Sequence, residues 1–158
     1  MTRFLLAFVL GWLPLAAPAQ SLSLATLFEE ACVAPFELFF GETEAVLRGW
    51  GFEVYPNDVY TEFAHSASEM SGAYSANPED LFCMIHDPRA NPDAASRAAQ
   101  VLLGQYFGQT PQLVPAGTGL MAWGIPYGGC CYLTARISDR DPSDNRQGAT
   151  ISLYLQDR

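Results

Sequence analysis

Six side chains in this sequence suit thiol, metal or proton-transfer chemistry: Cys32, Cys83, Cys130 and Cys131, and the two histidines His65 and His86. Cys83-x-x-His86-Asp87 offers sulfur, nitrogen and oxygen ligands of the kind zinc or copper accept, and Cys130-Cys131 could add thiolates. Neighbouring ligands on a strand diverge, however, and an oxidising compartment consumes thiolates, so a metal centre is not the expected use. Either histidine, with a carboxylate nearby, could serve as the base of a small hydrolase or metal-dependent enzyme. The plainer expectation for His86 is a polar residue at a strand end. Adjacent cysteines can form a strained, reducible pair. There is no C-x-x-C, and no flanking Lys, Arg or His depresses a thiol pKa, so structural use of the cysteines is expected over redox use.

The remaining motifs point to turns. Asp139-Arg140-Asp141-Pro142-Ser143-Asp144-Asn145 departs from a calcium-binding EF-hand loop, with Ser143 at the third ligand position and no Glu at the twelfth. It reads as a solvated hairpin loop. Gly117-Thr118-Gly119 and Gly128-Gly129 lack the third glycine and following helix of a phosphate cradle. Ser66, Ser68, Ser71 and Ser75 lie in polar sequence with no G-x-S-x-G around them. Trp50, Tyr55, Tyr60, Tyr74 and Trp123 could line a cleft, though core packing is the ordinary fate of such rings. No catalytic, metal or cofactor-binding residue is assigned, and no cofactor is expected.

The elements that would position these residues follow an export signal. Arg3, an apolar run from Phe4 to Leu15, and Ala17-Pro18-Ala19 read as a signal peptide over 1–19, cleaved before Gln20. The run is shorter than the ~20 residues a membrane-spanning helix needs, and no second run in the mature chain is long enough to span. Residues 20–158 are then one exported domain, periplasmic or secreted, where an even number of cysteines favours disulfides. Residues 20–88 hold nine Glu and three Asp against Arg48 alone, while residues 89–158 hold five Asp and six Arg. That acidity excludes a simple electrostatic nucleic-acid binder and suits solubility or a cationic partner.

Within the domain, Ser23 is a good helix cap, and Leu24, Leu27, Phe28, Ala31 and Cys32 follow at helical spacing up to Pro35. Thr43 is expected to cap a second helix to Trp50, with Gly51 in the left-handed position after it. Residues 52–79 suggest irregular short strands and a long loop, with a weak strand near Met70–Tyr74. Leu81–His86 reads as a buried strand. Asn91-Pro92-Asp93 opens a helix closed by Gly108, with Ala94, Ala98, Val101, Leu102 and Tyr106 as its expected inner face. Two strands, Leu120–Ile125 and Cys130–Ser138, flank Pro126-Tyr127-Gly128-Gly129. In a last strand, Ala149–Gln156, Ile151, Leu153 and Leu155 alternate with polar residues. The fold class expected is α+β, with helices on one face of a small, mainly antiparallel sheet in the order α-α-β(β)-α-β-β-β.

Cys32 on a buried helix stripe and Cys83 in a buried strand form the expected disulfide. The rival pairing, Cys32–Cys130 with Cys83–Cys131, suffers from the outward direction of Cys130 on its strand. The function expected is non-catalytic: a binding, inhibitory or envelope-associated protein whose partner is a protein or small ligand. The alternative is the hydrolase built on His65 or His86. Export makes the first testable statement. The protein recovered from the envelope or culture fluid should have the intact mass of residues 20–158, and a soluble form retaining Met1–Ala19 would refute it.

Overall fold

The computed structural model describes residues 22–157; the expected signal peptide and its cleavage point before Gln20 lie outside them. Helix α1, Leu24–Phe28, continues into a π-helical turn, Glu29–Val33, and a 3-10 turn, Phe36–Leu38, precedes α2, Thr43–Gly49. Four strands follow: β1 Glu53–Pro56, β2 Thr61–Ala64, β3 Ser71–Ser75 and β4 Phe82–Asp87. Helix α3, Pro92–Phe107, leads to β5 Gln112–Leu113, β6 Met121–Tyr127, β7 Cys131–Arg140 and β8 Gln147–Asp157. The strands form one antiparallel sheet of eight in the order β1-β2-β3-β4-β8-β7-β6-β5.

That order means two four-stranded meanders, each preceded by helix, whose last strands pair with each other at the centre. The α+β class holds, but residues 52–79 supply three regular strands where short irregular ones were expected. Their pattern was hard to read because β1 and β2 are short and near an edge, so each buries a single residue, Val54 and Phe63. Short edge strands leave little unpaired backbone open to other chains.

Alternation decides which side chains enter the core. Cys83 and Ile85 of β4, Ile151 and Leu153 of β8, and Leu133, Ala135 and Ile137 of β7 turn to one face and are almost wholly buried. Against it lie α1, with Leu27 and Phe28 fully buried, and α3. Ser23 caps α1 as expected, its hydroxyl accepting from the Thr26 N–H at 3.1 Å. Thr43 does not cap α2. It is already helical, and its buried hydroxyl donates to the Ala31 carbonyl at 2.7 Å, tying α2 to the π turn.

Helix α3 is capped as its sequence implies, with Asn91 accepting from Asp93 and Ala94 and Gly108 left-handed at the other end. Its inner face is Ala95, Ser96, Ala99, Leu102 and Leu103, rotated from the expected stripe, while Val101 and Tyr106 are exposed. Small residues let the helix approach the sheet closely, and the Ser96 hydroxyl accepts from the Trp123 indole at 2.9 Å. Tyr106 instead donates outward to Glu29 at 3.0 Å. Leu153 lies at the centre of the buried layer, with no exposed surface. Leu153→Ala should therefore cost about 2–5 kcal/mol of unfolding free energy; a denaturation midpoint equal to the parent's would contradict this placing of the core.

Candidate functional site

The opposite face of the sheet carries the polar chemistry. In the central register, Phe82 faces Tyr154, Met84 faces Ser152 and His86 faces Thr150. These rows turn away from the helices, yet His86, Thr150, Ser152 and, on β7, Thr134 are buried, so this face is not the solvated one the alternation implied. Long side chains and the loop between β7 and β8 cover it.

His86 lies at one end of this face. The Thr150 hydroxyl donates to the Arg140 carbonyl at 2.8 Å, so its oxygen must accept from His86 Nδ1, 3.0 Å away. His86 is thereby fixed as the Nδ1–H tautomer, and its Nε2 lone pair is buried with no partner among the described residues. Burial pushes its pKa down, with Arg146 adding to that effect, against the opposing charges of Asp141, Asp144 and Asp87. Gly148 permits this arrangement. With φ at 145° it brings β8 so close to the Asp87 carbonyl that any Cβ there would collide.

Asp141 is the anchor of the covering loop. It is 3% exposed and accepts from the Ser143 N–H at 2.8 Å and the Ser143 hydroxyl at 2.6 Å. Arg146 reaches it at 3.3 Å and also donates to Ser71 at 3.0 Å, joining the loop to β3. Burial alone would raise the Asp141 carboxyl. The two Ser143 hydrogen bonds, with His86 and Arg146 nearby, outweigh that and hold it below the ordinary carboxylate range. The stretch 139–145 is the solvated hairpin loop expected, exposed except at Asp141, which ties it down.

Between this network and the far edge runs a trough in two parts. One, about 450 Å³, is bounded by Arg136, Tyr154, Glu79 and Asp80. The other, about 370 Å³, is bounded by Tyr55, Tyr60 and Glu62 and ends at Asp141 and Arg146. Phe82 and Met84 belong to both. The tyrosine hydroxyls donate to carboxylates on the same rim: Tyr55 to Glu53, and Tyr60 to Glu62 at 3.2 Å. The Arg136 guanidinium stands over the Tyr154 ring, 5.3 Å from its centroid, and its buried Nε has no hydrogen-bond partner among the described residues.

The residues marked out by sequence are not gathered here. Cys83 and His86 are on opposite faces of β4, and Cys130-Cys131 stand at the far end of β7, so the drawn metal ligands are dispersed. Cys32, in the π-helical turn after α1, and Cys83 on β4 come to disulfide distance, Cα atoms 5.6 Å apart. Cys130 and Cys131 are also at disulfide distance, the first in the hairpin turn and the second opening β7. His65 is far from His86 in role. Its Nδ1 accepts from the Ser68 N–H at 3.0 Å within the β2–β3 hairpin, and its ring lies 5.0 Å from that of Phe52. It lines a cleft with Glu53 and Glu69 that adjoins the trough at Tyr55, Ser71 and Arg146. Of the aromatics, Tyr55 and Tyr60 reach the trough, whereas Tyr74 is buried and Trp50 and Trp123 pack against the core. Arg146 and Arg136 were missed and Asp141 was read only as part of a loop, because the contacts of Arg146 with Asp141 and Ser71, and of Arg136 with Tyr154, arise only in the folded sheet.

No protein-family model, no curated protein and no solved structure matches the chain.

Both perturbed groups destabilise the fold in acid. A histidine whose pKa is lowered on folding takes up its proton more readily unfolded, so stability falls as pH drops below about 6.5. A carboxyl lowered on folding contributes stability that is present above its unfolded pKa and is lost as pH falls through its folded value. His86→Asn should therefore flatten the decline in unfolding free energy between about pH 7 and 5, and Asp141→Asn the decline below about pH 4. Unchanged slopes in denaturant titrations would refute the assignment.

Proposed function

We propose that the chain is an exported, non-catalytic binding domain that takes a basic, extended segment of a partner protein in the trough on the sheet face away from its helices. One observation carries this reading: rings of Tyr60, Phe82 and Tyr154 and carboxylates of Glu62, Glu79 and Asp80 line two adjoining depressions that share Phe82 and Met84. Aromatic faces and nearby carboxylates both attract a Lys or Arg head group. The Arg136 guanidinium, which bounds the same depression, is a cation able to attract a carbonyl or carboxylate of the partner. The acidity of residues 20–88 works in the same direction by raising the rate of encounter with a cationic surface. Export rests on the leader-like residues 1–19 and fits the two cysteine pairs.

The hydrolase reading has one feature in its favour, the cleft in which His65 lies near Glu53 and Glu69. The backbone N–H of Ser68 occupies the basic nitrogen of that ring, and His86 has no exposed surface, so binding is the better supported reading.

Titration of the isotope-labelled mature protein with a tetralysine peptide separates the two. Amide shifts should concentrate at Phe82, Met84, Ser152 and Tyr154, and affinity should fall as ionic strength rises to about 0.5 M. Tyr60→Leu should weaken binding roughly two- to fivefold, the equivalent of one exposed cation–π contact. Absence of shifts, or shifts confined to the His65 cleft, would overturn the proposal.

A further inference from the structure

The two cysteine pairs differ in what they can do for the fold. Cys32 and Cys83 have no exposed surface, are 51 positions apart in sequence, and join the π-helical turn after α1 to the central strand β4. Cross-linking positions so far apart in sequence removes much freedom from the unfolded chain. A bond between Cys130 and Cys131 closes no length of chain and restrains almost nothing in the unfolded state. Nor does the hairpin need it. Gly128 and Gly129 make the turn with φ of 58° and 79°, and β6 and β7 pair from Met121↔Ile137 to Tyr127↔Cys131. Cys130 is exposed at the tip of that hairpin and Cys131 is half-buried. Sequence alone favoured a structural use of these cysteines; the fold leaves this pair without one. Exposed disulfides are the ones open to exchange.

We infer that Cys130–Cys131 is a thiol–disulfide exchange site that accepts two electrons from a dithiol. A thiolate of the dithiol attacks Sγ of the exposed Cys130. The Sγ–Sγ bond breaks, and its electron pair leaves on Cys131 as a thiolate, which takes up a proton. The second thiolate of the reductant then attacks the reductant's own sulfur in the mixed disulfide and expels Cys130 as a thiolate, which is protonated in turn. The dithiol ends as a disulfide, and Cys130 and Cys131 end as two thiols. The Asp157 carboxylate, 4.0 Å from Cys131 Sγ and on the strand paired with it, opposes the negative charge arriving on the departing sulfur. It acts as a brake on the exchange.

The site is independent of the trough and of any ligand bound there. The experiment is a graded reduction of the folded mature protein with dithiothreitol, followed by alkylation and peptide mass analysis. Cys130 and Cys131 should be alkylated together at dithiol concentrations at least about tenfold below those that expose Cys32 and Cys83. The C130S/C131S double variant should keep the parent's unfolding midpoint, whereas C32S/C83S should lower it. Asp157→Asn should speed the reduction of Cys130–Cys131 several-fold. Simultaneous opening of both pairs, alkylation of Cys130 and Cys131 without reductant, or a midpoint loss in C130S/C131S as large as in C32S/C83S would overturn the inference. An unchanged rate in Asp157→Asn would overturn the assignment of Cys131 as the leaving sulfur.

Discussion

Everything in this fold hangs on the pairing of β4 with β8, two strands separated in sequence by α3 and three other strands. Each meander alone would be a four-stranded sheet with an open edge at its last strand, and pairing those edges removes both. The rows of the pairing alternate in purpose. Cys83↔Leu153 and Ile85↔Ile151 enter the core, where the π-helical turn after α1 is joined to β4 through Cys32. Phe82↔Tyr154, Met84↔Ser152 and His86↔Thr150 turn to the other side and make the floor of the trough and its buried polar end. A slip of one residue would send Cys83 away from Cys32 and put His86 into the apolar layer, so the register is strongly specified from both faces.

The parts legible in the sequence were those whose local signals agreed with their place in the fold. Ser23, Asn91 and Gly108 mark helix ends by chemistry that acts within one turn. Ile151 and Leu153 alternate because one face of β8 is apolar. The α3 inner face was misread for a physical reason. Large apolar residues were taken to face inward, but a helix lying close on a sheet is better served by Ala95, Ser96 and Ala99, and the larger Val101 was left outside. Leu155 shows the same limit, being at the end of its strand and partly exposed.

The polar network was not legible because its members come from four places in the chain. Ser71 on β3, His86 on β4, Asp141 with Arg146 in the β7–β8 loop, and Thr150 on β8 share no spacing that sequence periodicity can show. Their convergence depends on pairings that exist only in the folded sheet. Even the tautomer of His86 is set at a distance, by the carbonyl of Arg140 acting through the Thr150 hydroxyl. Burial of such a group without a donor for Nε2 lowers stability, and the closely satisfied Asp141 beside it offsets part of that cost.

The uneven charge of the sequence acquires a spatial meaning from the same topology. The break near residue 88 between an acid-rich part and a balanced one falls at the end of β4, so it coincides with the boundary between the two helix-plus-meander halves. The trough crosses that boundary. Glu62, Glu79 and Asp80 come from the first half, while Arg136 and Arg146 come from the second. Arg146 is engaged with Asp141 and Asp144, and Arg136 lies over Tyr154, so neither neutralises the rim carboxylates directly.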